Sequence, residues 1–399
     1  MGERRRPRGE SGSPHRAADE RSAGTEVVAG EATDDAAVPA AEPVEVGNVR
    51  ASTIRDVALR AGVSVATVSR VLAGNYPVAT ATRRRVLRAV QELNYVVNTY
   101  ARALAGVRTE TVAFMLNDVR GPSFSQAAYG VEREANRRGR LCLICTTEGD
   151  QERELAFMQL MREQRASAVI IIGGVRDDEQ YRARYTEIAH SLHAVGSRLV
   201  LCGRPSLGEG VPATVVEYDN EGGAYAITTH LLANGHRRIL YLGGTLEHTT
   251  SVARLAGYHR ALGDFGVVAD PTLIEHGEFS RVSGYQRTRA WLERDALPFT
   301  AIFAETDMVA AGALAALDDA GVRVPEEMSL VGYDDIELAA DLRPRLTTVR
   351  VPYEELGRTA VRLALDLKEG RTHGGDQHVV LGTHVVVRQS VARRQPGLD

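Results

Sequence analysis

Two short amphipathic stretches open the patterned part of the chain. Ile54, Val57 and Ala58 recur on one helical face, and Val68, Val71 and Leu72 on another, with Ala61-Gly62-Val63-Ser64 between them. Thr53 is placed to cap the first helix, and Asp56, three residues on, to close a capping box. Gly62 suits the left-handed residue that ends that helix, and Ser64 caps the next. Two short helices around a Gly-containing turn predict a helix-turn-helix. Neither helix would hold alone. A third stretch, 80–93, with Val86, Leu87, Val90 and Leu93 apolar, is placed to bury them.

From Thr111 the period changes. Strands predicted at 111–116, 141–145, 168–172 and 199–201 alternate with helices at 124–137, 152–165 and 181–192. The unit then repeats, with strands at 215–216, 238–242, 273–275, 301–304 and 329–333 and helices at 220–234, 253–265, 280–294 and 307–320. Residues 348–351 lead into a helix at 353–368, and 379–386 supply the last strands. The fold class this predicts is α/β: a doubly wound parallel sheet in each of two lobes, behind an N-terminal three-helix head. The cleft of such a clam-shell lies outside the carboxyl ends of the strands. Crossovers are expected near Tyr218, Val349 and Gly375. The division predicted is a head at 49–97, a hinge helix and linker at 98–109, a first lobe at 110–217 and 349–375, a second lobe at 218–348 and 376–393, and a tail at 394–399.

Charge sharpens this picture. Residues 50–108 hold ten Arg against only Asp56 and Glu92, a net +8 in a chain whose total is −4. A small basic module on an acidic protein is a phosphate-binding footprint. A recognition helix pushed into the major groove presents its first residues to base edges: here Val65 and Ala66, with Thr67, Ser69 and Arg70 nearby. Arg70 is the candidate for a bidentate contact to guanine, while Val65 and Ala66 suit a thymine methyl. Core packing is the other reading of Val65. Thr53, Ser64, Ser69, Asn75, Arg83 and Arg84 are placed for phosphates. Asn98 can cap a helix of about seven residues ending at Gly106, too short to stand without a twin and the DNA. Leu104 on it would serve as a minor-groove wedge.

Other features narrow the function. Residues 1–48 contain no Ile, Leu, Phe, Tyr or Trp and are expected to form a disordered arm; they lack the apolar core of a secretory signal. No run of 18 apolar residues predicts a membrane span, and three Cys fit a reducing cytoplasm. Cys142 and Cys145 have redox spacing, but three apart on a strand they face opposite sides and are expected in the core. His373, His378 and His384 are spaced too loosely for zinc. Phosphate-binding glycine motifs and a nucleophile elbow are lacking. No enzyme, cofactor or metal is expected.

Cleft candidates are polar and aromatic residues just after strands. They are Asn117, Asp118, Pro122 and Phe124 in the first lobe, and Asp219, Arg254, Phe279, Thr306 and Asp307 in the second. Asp307 also reads as a simple helix cap. Glu247, His248 and Glu305 are further candidates, and Asp334-Asp335 reads as a turn or interlobe contact.

Residues 54–74 (IRDVALRAGVSVATVSRVLAG) and 82–95 (TRRRVLRAVQELNY) resemble the lactose-repressor/galactose-repressor family of bacterial transcription regulators, and the likeness runs on to 387–390 (VRQS). The family's hinge helix matches 101–105 (ARALA), which places Arg102 and Leu104 on DNA beside Asn98. The resemblance implies a periplasmic-binding-protein-like, two-lobed effector domain and a homodimer, with double-stranded operator DNA of near-palindromic sequence as partner. It implies a small effector, a mono- or oligosaccharide or nucleoside, whose binding releases a repressor. Arg254 and Asp307 would then carry the effector's hydrogen bonds, with Phe124 and Phe279 stacking on it. The alternative is the same regulator without small-molecule control, answering to a protein partner or to none. Two departures stand out: Val96-Val97 replaces the usual Arg-Pro before the hinge, and Ala79 replaces the usual Ser cap of the third helix.

Overall fold

The computed structural model describes residues 52–73, 77–95, 110–294, 296–371 and 378–394. The expectations for residues 1–48, for Asn75, and for the hinge with Asn98, Arg102 and Leu104 lie outside the described residues.

The head consists of α1 (Ile54–Ala61), α2 (Val65–Ala73) and α3 (Thr80–Glu92). Asp56 accepts the Thr53 N–H at 2.7 Å while Thr53 accepts the Asp56 N–H at 3.4 Å, closing the capping box. Gly62 sits at φ 63°, the left-handed region that spares a glycine the Cβ penalty. Ser64 accepts the Thr67 N–H at 3.2 Å. α3 starts after Ala79 with no side-chain cap. The three helices close over Val57, Ala58, Ala61, Val68, Val71, Val86, Ala89 and Tyr95. Leu87, expected in this core, is 46% exposed. The inward stripe of α3 is Val86, Ala89, Val90 and Leu93, at i, i+3, i+4 and i+7, and one step of the helix carries residue 87 out of it.

Beyond the head the first sheet is parallel throughout. It contains β1 (Thr111–Leu116), β2 (Leu141–Thr146), β3 (Ala168–Ile172), β4 (Arg198–Cys202), β5 (Ala213–Tyr218) and β11 (His378–Leu381), in the order β11-β5-β4-β3-β1-β2. Alternate residues of β1 part to opposite faces. Val112, Phe114 and Leu116 join the core under α4 (Pro122–Arg137) and α12 (Tyr353–Lys368); Ala113 and Met115 join that under α5 (Gln151–Glu163) and α6 (Glu179–Ala194). α4 and α12 cross backbone to backbone: a Cβ on Gly357 would lie 2.3 Å from the Ala127 carbonyl oxygen. Gly357→Ala is therefore expected to cost about 1–3 kcal/mol by overpacking, read as a lower urea midpoint; an unchanged midpoint would show that the helices separate freely.

Cys142 and Cys145 do face opposite cores, but only Cys145 is buried, because β2 is an edge strand and leaves Cys142 half-exposed. Burial still pushes the Cys142 thiol up to about 11, the protonated, unreactive side.

The second sheet, also parallel, runs β7 (Ile274–His276), β6 (Ile239–Gly243), β8 (Ala301–Ala304), β9 (Ser329–Val331). α7 (Asn220–Ala233) and α8 (Thr249–Asp264) cover one face; α9 (Arg281–Leu292) and α10 (Asp307–Asp319) cover the other. A short helix, α11 (Glu337–Asp341), follows β9.

The chain crosses between lobes after Tyr218 and again at β10 (Thr348–Arg350), which pairs antiparallel with β12 (His384–Val386). The third crossing is not near Gly375. β11 pairs with β5 in the first sheet, His378 opposite Val215 through Leu381 opposite Tyr218, so the chain returns to the second lobe only beyond Leu381. The last strands, 379–386, are predicted within the second lobe, but the open edge of β5 takes the first of them into the first lobe's sheet and β10 takes the second.

Candidate nucleic-acid interface and ligand cleft

On the head, Val65 is 41% exposed, which removes the core-packing reading. Ala66, Arg70, Arg83 and Arg84 are exposed with it, as are Thr53 and Ser64; Thr67 and Ser69 are half-buried. The hydroxyls of Ser64 and Thr67 share a hydrogen bond of 2.9 Å at the start of α2. α2 is held against α1 and α3 by its buried Val68 and Val71, so Val65, Ala66 and Arg70 project from a fixed platform. Arg60 pairs with Glu92 at 2.7 Å, tying the outer ends of α1 and α3.

Between the lobes lies a cavity of about 280 Å³. The first lobe contributes Asn117 and the start of α4, including Pro122, Ser123 and Phe124. The second contributes Arg254 from α8, Phe279, Thr306, Met308 and Asp334; Tyr218 and Tyr353 line the floor. Of the nine residues expected here, Asn117, Pro122, Phe124, Arg254, Phe279 and Thr306 do line the cavity. His248 lines it as well.

Three expected carboxylates do not. Asp118 turns outward to Arg120 at 2.5 Å, and that hydrogen bond holds its carboxyl below the ordinary range. Asp219 accepts the Gly222 N–H at 2.7 Å as the cap of α7, and lines a neighbouring depression of about 220 Å³. Asp307 is fully buried behind the cavity. One of its oxygens accepts the Ile336 N–H at 2.9 Å and the other the Thr348 hydroxyl at 2.5 Å; Thr306, not Asp307, is the helix cap. Asp307→Ala would leave both donors buried and unpaired, at about 1–3 kcal/mol each. A loss of that size is expected in urea unfolding of the variant; a change under about 1 kcal/mol would show that the donors relax to new partners.

The cleft carboxylate is Asp334, which the sequence places in a turn or an interlobe contact rather than among the cleft residues. It is one of two successive non-glycine residues with positive φ, 110° at Asp334 and 56° at Asp335. Asp335 is anchored by Arg350 and Arg388, each at 2.6 Å. That anchoring holds Asp334 inward, where it accepts from the Tyr353 hydroxyl at 2.8 Å, the Ser123 hydroxyl at 3.2 Å and Arg254 at 3.4 Å. Ser123 and Tyr353 belong to the first lobe and Arg254 to the second, so Asp334 is an interlobe contact. Burial is the largest influence on its carboxyl and raises it, although Arg254 and the hydrogen bonds pull the other way. Arg254 lies over the Tyr333 ring, its guanidinium carbon 3.7 Å from the ring centre, and donates to Asn220 Oδ1 at 2.9 Å and to the Glu305 carbonyl. Glu305 itself is buried and accepts the Gly244 N–H rather than facing the cavity.

The lobes also touch at the cleft's mouth. Thr249 N–H donates to the Val175 carbonyl at 3.0 Å, the Val175 N–H donates back to the Thr249 hydroxyl at 3.3 Å, and Arg176 pairs with Glu247 at 3.3 Å. No described helix is long and apolar enough to cross a membrane. Among the described residues no group of three or more His, Cys, Asp or Glu could hold a metal ion.

Comparison with known proteins meets this architecture at both ends. A sequence model of bacterial regulatory proteins of the lacI family matches residues 53–98, and one of the periplasmic binding protein-like domain matches residues 228–391. The chain is 32% identical over 345 residues to the HTH-type transcriptional repressor PurR of Aliivibrio salmonicida (strain LFI1238), covering 85% of this chain and 99% of that protein. It is 36% identical over 349 residues to the HTH-type transcriptional regulator CelR of Thermobifida fusca, covering 86% and 98%. Among solved structures, the lac repressor dimer bound to operator and the anti-inducer ONPF aligns at a TM-score of 0.73 with 28% identity, over 86% of this chain and all of that one. A transcriptional regulator CelR–cellobiose complex aligns at 0.62 with 34% identity, over 85% and 99%. With a helix-turn-helix head and a two-lobed, periplasmic-binding-protein-like effector domain, the chain belongs to the lacI family of bacterial regulatory proteins and is a DNA-binding transcription regulator, not an enzyme.

Proposed function

We propose that the protein is a repressor that binds a near-palindromic operator as a homodimer in the cytoplasm and is released by a small sugar-like effector in the interlobe cleft. The observation that carries this reading is the composition of the 280 Å³ cavity: Phe124 and Phe279, one from each lobe, beside the Arg254–Asp334 pair. Aromatic faces suit the apolar faces of a sugar ring, and a guanidinium and a carboxylate suit its hydroxyls. Asp334 already bonds to both lobes, so a ligand that engages it biases their closure, and effector and operator affinities change reciprocally. Asn117, Pro122, Thr306 and Arg254 would contact the effector. Thr53, Ser64, Val65, Ala66, Thr67, Ser69, Arg70, Arg83 and Arg84 would contact DNA.

The dimer is supported by the outer edge of the first sheet. Leu141, Leu143 and Ile144 of β2 are exposed there, an apolar edge that invites a partner. The solved lac repressor of similar fold is a dimer on its operator.

The test is fluorescence anisotropy of the purified protein on DNA from its own upstream region at fixed salt, with saccharides and nucleosides titrated in. The expected result is tight, salt-sensitive binding that one saccharide weakens at least tenfold. Binding that no compound shifts would replace this reading with a regulator answering to a protein partner or to none.

A further inference from the structure

We infer that the effector is a neutral glycoside of at least two sugar units, because the cleft continues past the 280 Å³ cavity into a second, polar compartment. This deepens the sugar-effector reading and rests on it. The second compartment has about 330 Å³ and lies where β2 and β3 end. Asn117, Gly174 and His248 line both compartments, so the two meet along one shared wall rather than lying on separate faces. Each compartment alone is near the small end of ligand pockets, roughly 300–1,000 Å³, and the pair gives room for two joined rings.

The chemistry of the two halves differs in the way a disaccharide requires. The inner half offers Phe124, Phe279 and Met308 as apolar surfaces. The outer half has none of these and offers Gln151, Gln180 and Tyr181, neutral groups that donate and accept. Charge disfavours an ionic ligand. Arg254 is paired with Asp334. In the outer half Arg204 is paired with Glu154 through two bonds of 2.7 and 2.8 Å, and Arg176 is flanked by Asp178 and Glu247 at 3.6 and 3.3 Å. A phosphate or carboxylate at Arg254 or Arg204 would have to displace a buried carboxylate, at the cost of leaving a charge uncompensated, and at the exposed Arg176 it would compete with two carboxylates already in place. A neutral polyol meets only groups that can share hydrogen bonds with it. Gly174 forms part of the shared wall, and a Cβ there would come within 2.7 Å of the Thr250 hydroxyl, so this constriction has no room for a side chain.

The test is calorimetric titration of the full-length protein with glucose and galactose, and with maltose, cellobiose and lactose, repeated on Gln151→Ala/Gln180→Ala. Both glutamines are exposed and do not support the core. At least one disaccharide is expected to bind tenfold or more tightly than either monosaccharide, and the double variant to lose at least fivefold of that advantage while monosaccharide binding holds. Monosaccharide binding equal to the best disaccharide, or equal losses for both in the variant, would overturn the two-unit inference and leave the sugar reading intact. Binding of no saccharide of either size would overturn both.

Discussion

Arg254→Leu is expected to destabilise the effector domain by about 3–5 kcal/mol, because it strips the counter-charge from a buried carboxylate instead of removing a surface ion pair. Arg254 is among the largest fully buried side chains of the protein, and Asp334 beside it is almost as enclosed. Leucine would leave Asp334 with only the Ser123 and Tyr353 hydroxyls and would also orphan the Glu305 carbonyl and the Asn220 amide oxygen. Against a typical total of about 5–15 kcal/mol, such a loss is a third or more of the stability of a domain. Urea unfolding followed by circular dichroism reads it as a lower midpoint at constant slope. The double variant Arg254→Leu/Asp334→Leu should recover part of the loss, since removing both charges ends the uncompensated burial. A single variant less than about 1 kcal/mol below the parent would mean that water or protonation relieves Asp334, and the pair would then owe its place to ligand binding alone.

Arg70→Ala is expected to lower operator affinity by roughly 5- to 150-fold, the ~1–3 kcal/mol of a bidentate base contact, while leaving affinity for random duplex within about threefold. Arg70 is exposed on α2 one turn beyond Val65 and Ala66, the helix start that the buried Val68 and Val71 hold in place. Arg83→Ala and Arg84→Ala, at the start of α3, should behave differently. Each should weaken specific and random duplex alike and flatten the salt dependence by about one counterion. Anisotropy titrations at several salt concentrations separate the two patterns. Equal losses on operator and random DNA for Arg70→Ala would move that side chain from base readout to the phosphate backbone.

These two arginines mark the ends of one equilibrium. In the proposed function, effector contacts in the cleft would act on groups that join the lobes, Asp334 above all, and operator contacts on the head. A ligand changes operator affinity only by the difference in its affinity for the two lobe arrangements. The Val175–Thr249 bonds and the Arg176–Glu247 pair join the two lobes at the cleft's mouth, so any opening of the lobes must break them.

What the sequence by itself determined is what depends on neighbours within one helical turn or one strand. The Thr53–Asp56 capping box, the left-handed Gly62 and the Ser64 hydrogen bond to the turn of α2 were all legible, because each closes over two or three residues. So were the alternation of strands and helices, written as changes of hydrophobic period, and the basic head, written as charge. Six of the nine expected cleft residues were legible for a related reason: strand ends in a doubly wound sheet point to the crevice whatever the details.

Tertiary structure alone decided the rest. Asp307 and Asp334 both follow strands, and nothing local says which one faces the cavity. Asp307 is held behind the cavity by Thr348, 41 residues away, and Asp334 is held at the cleft by Ser123, 211 residues away. β11 joined the first lobe because the edge of β5 was open to it, a pairing between residues 378 and 215 that no window along the chain contains. A buried carboxylate must find donors and a strand must find an edge, and where those partners stand is settled by how the whole chain packs.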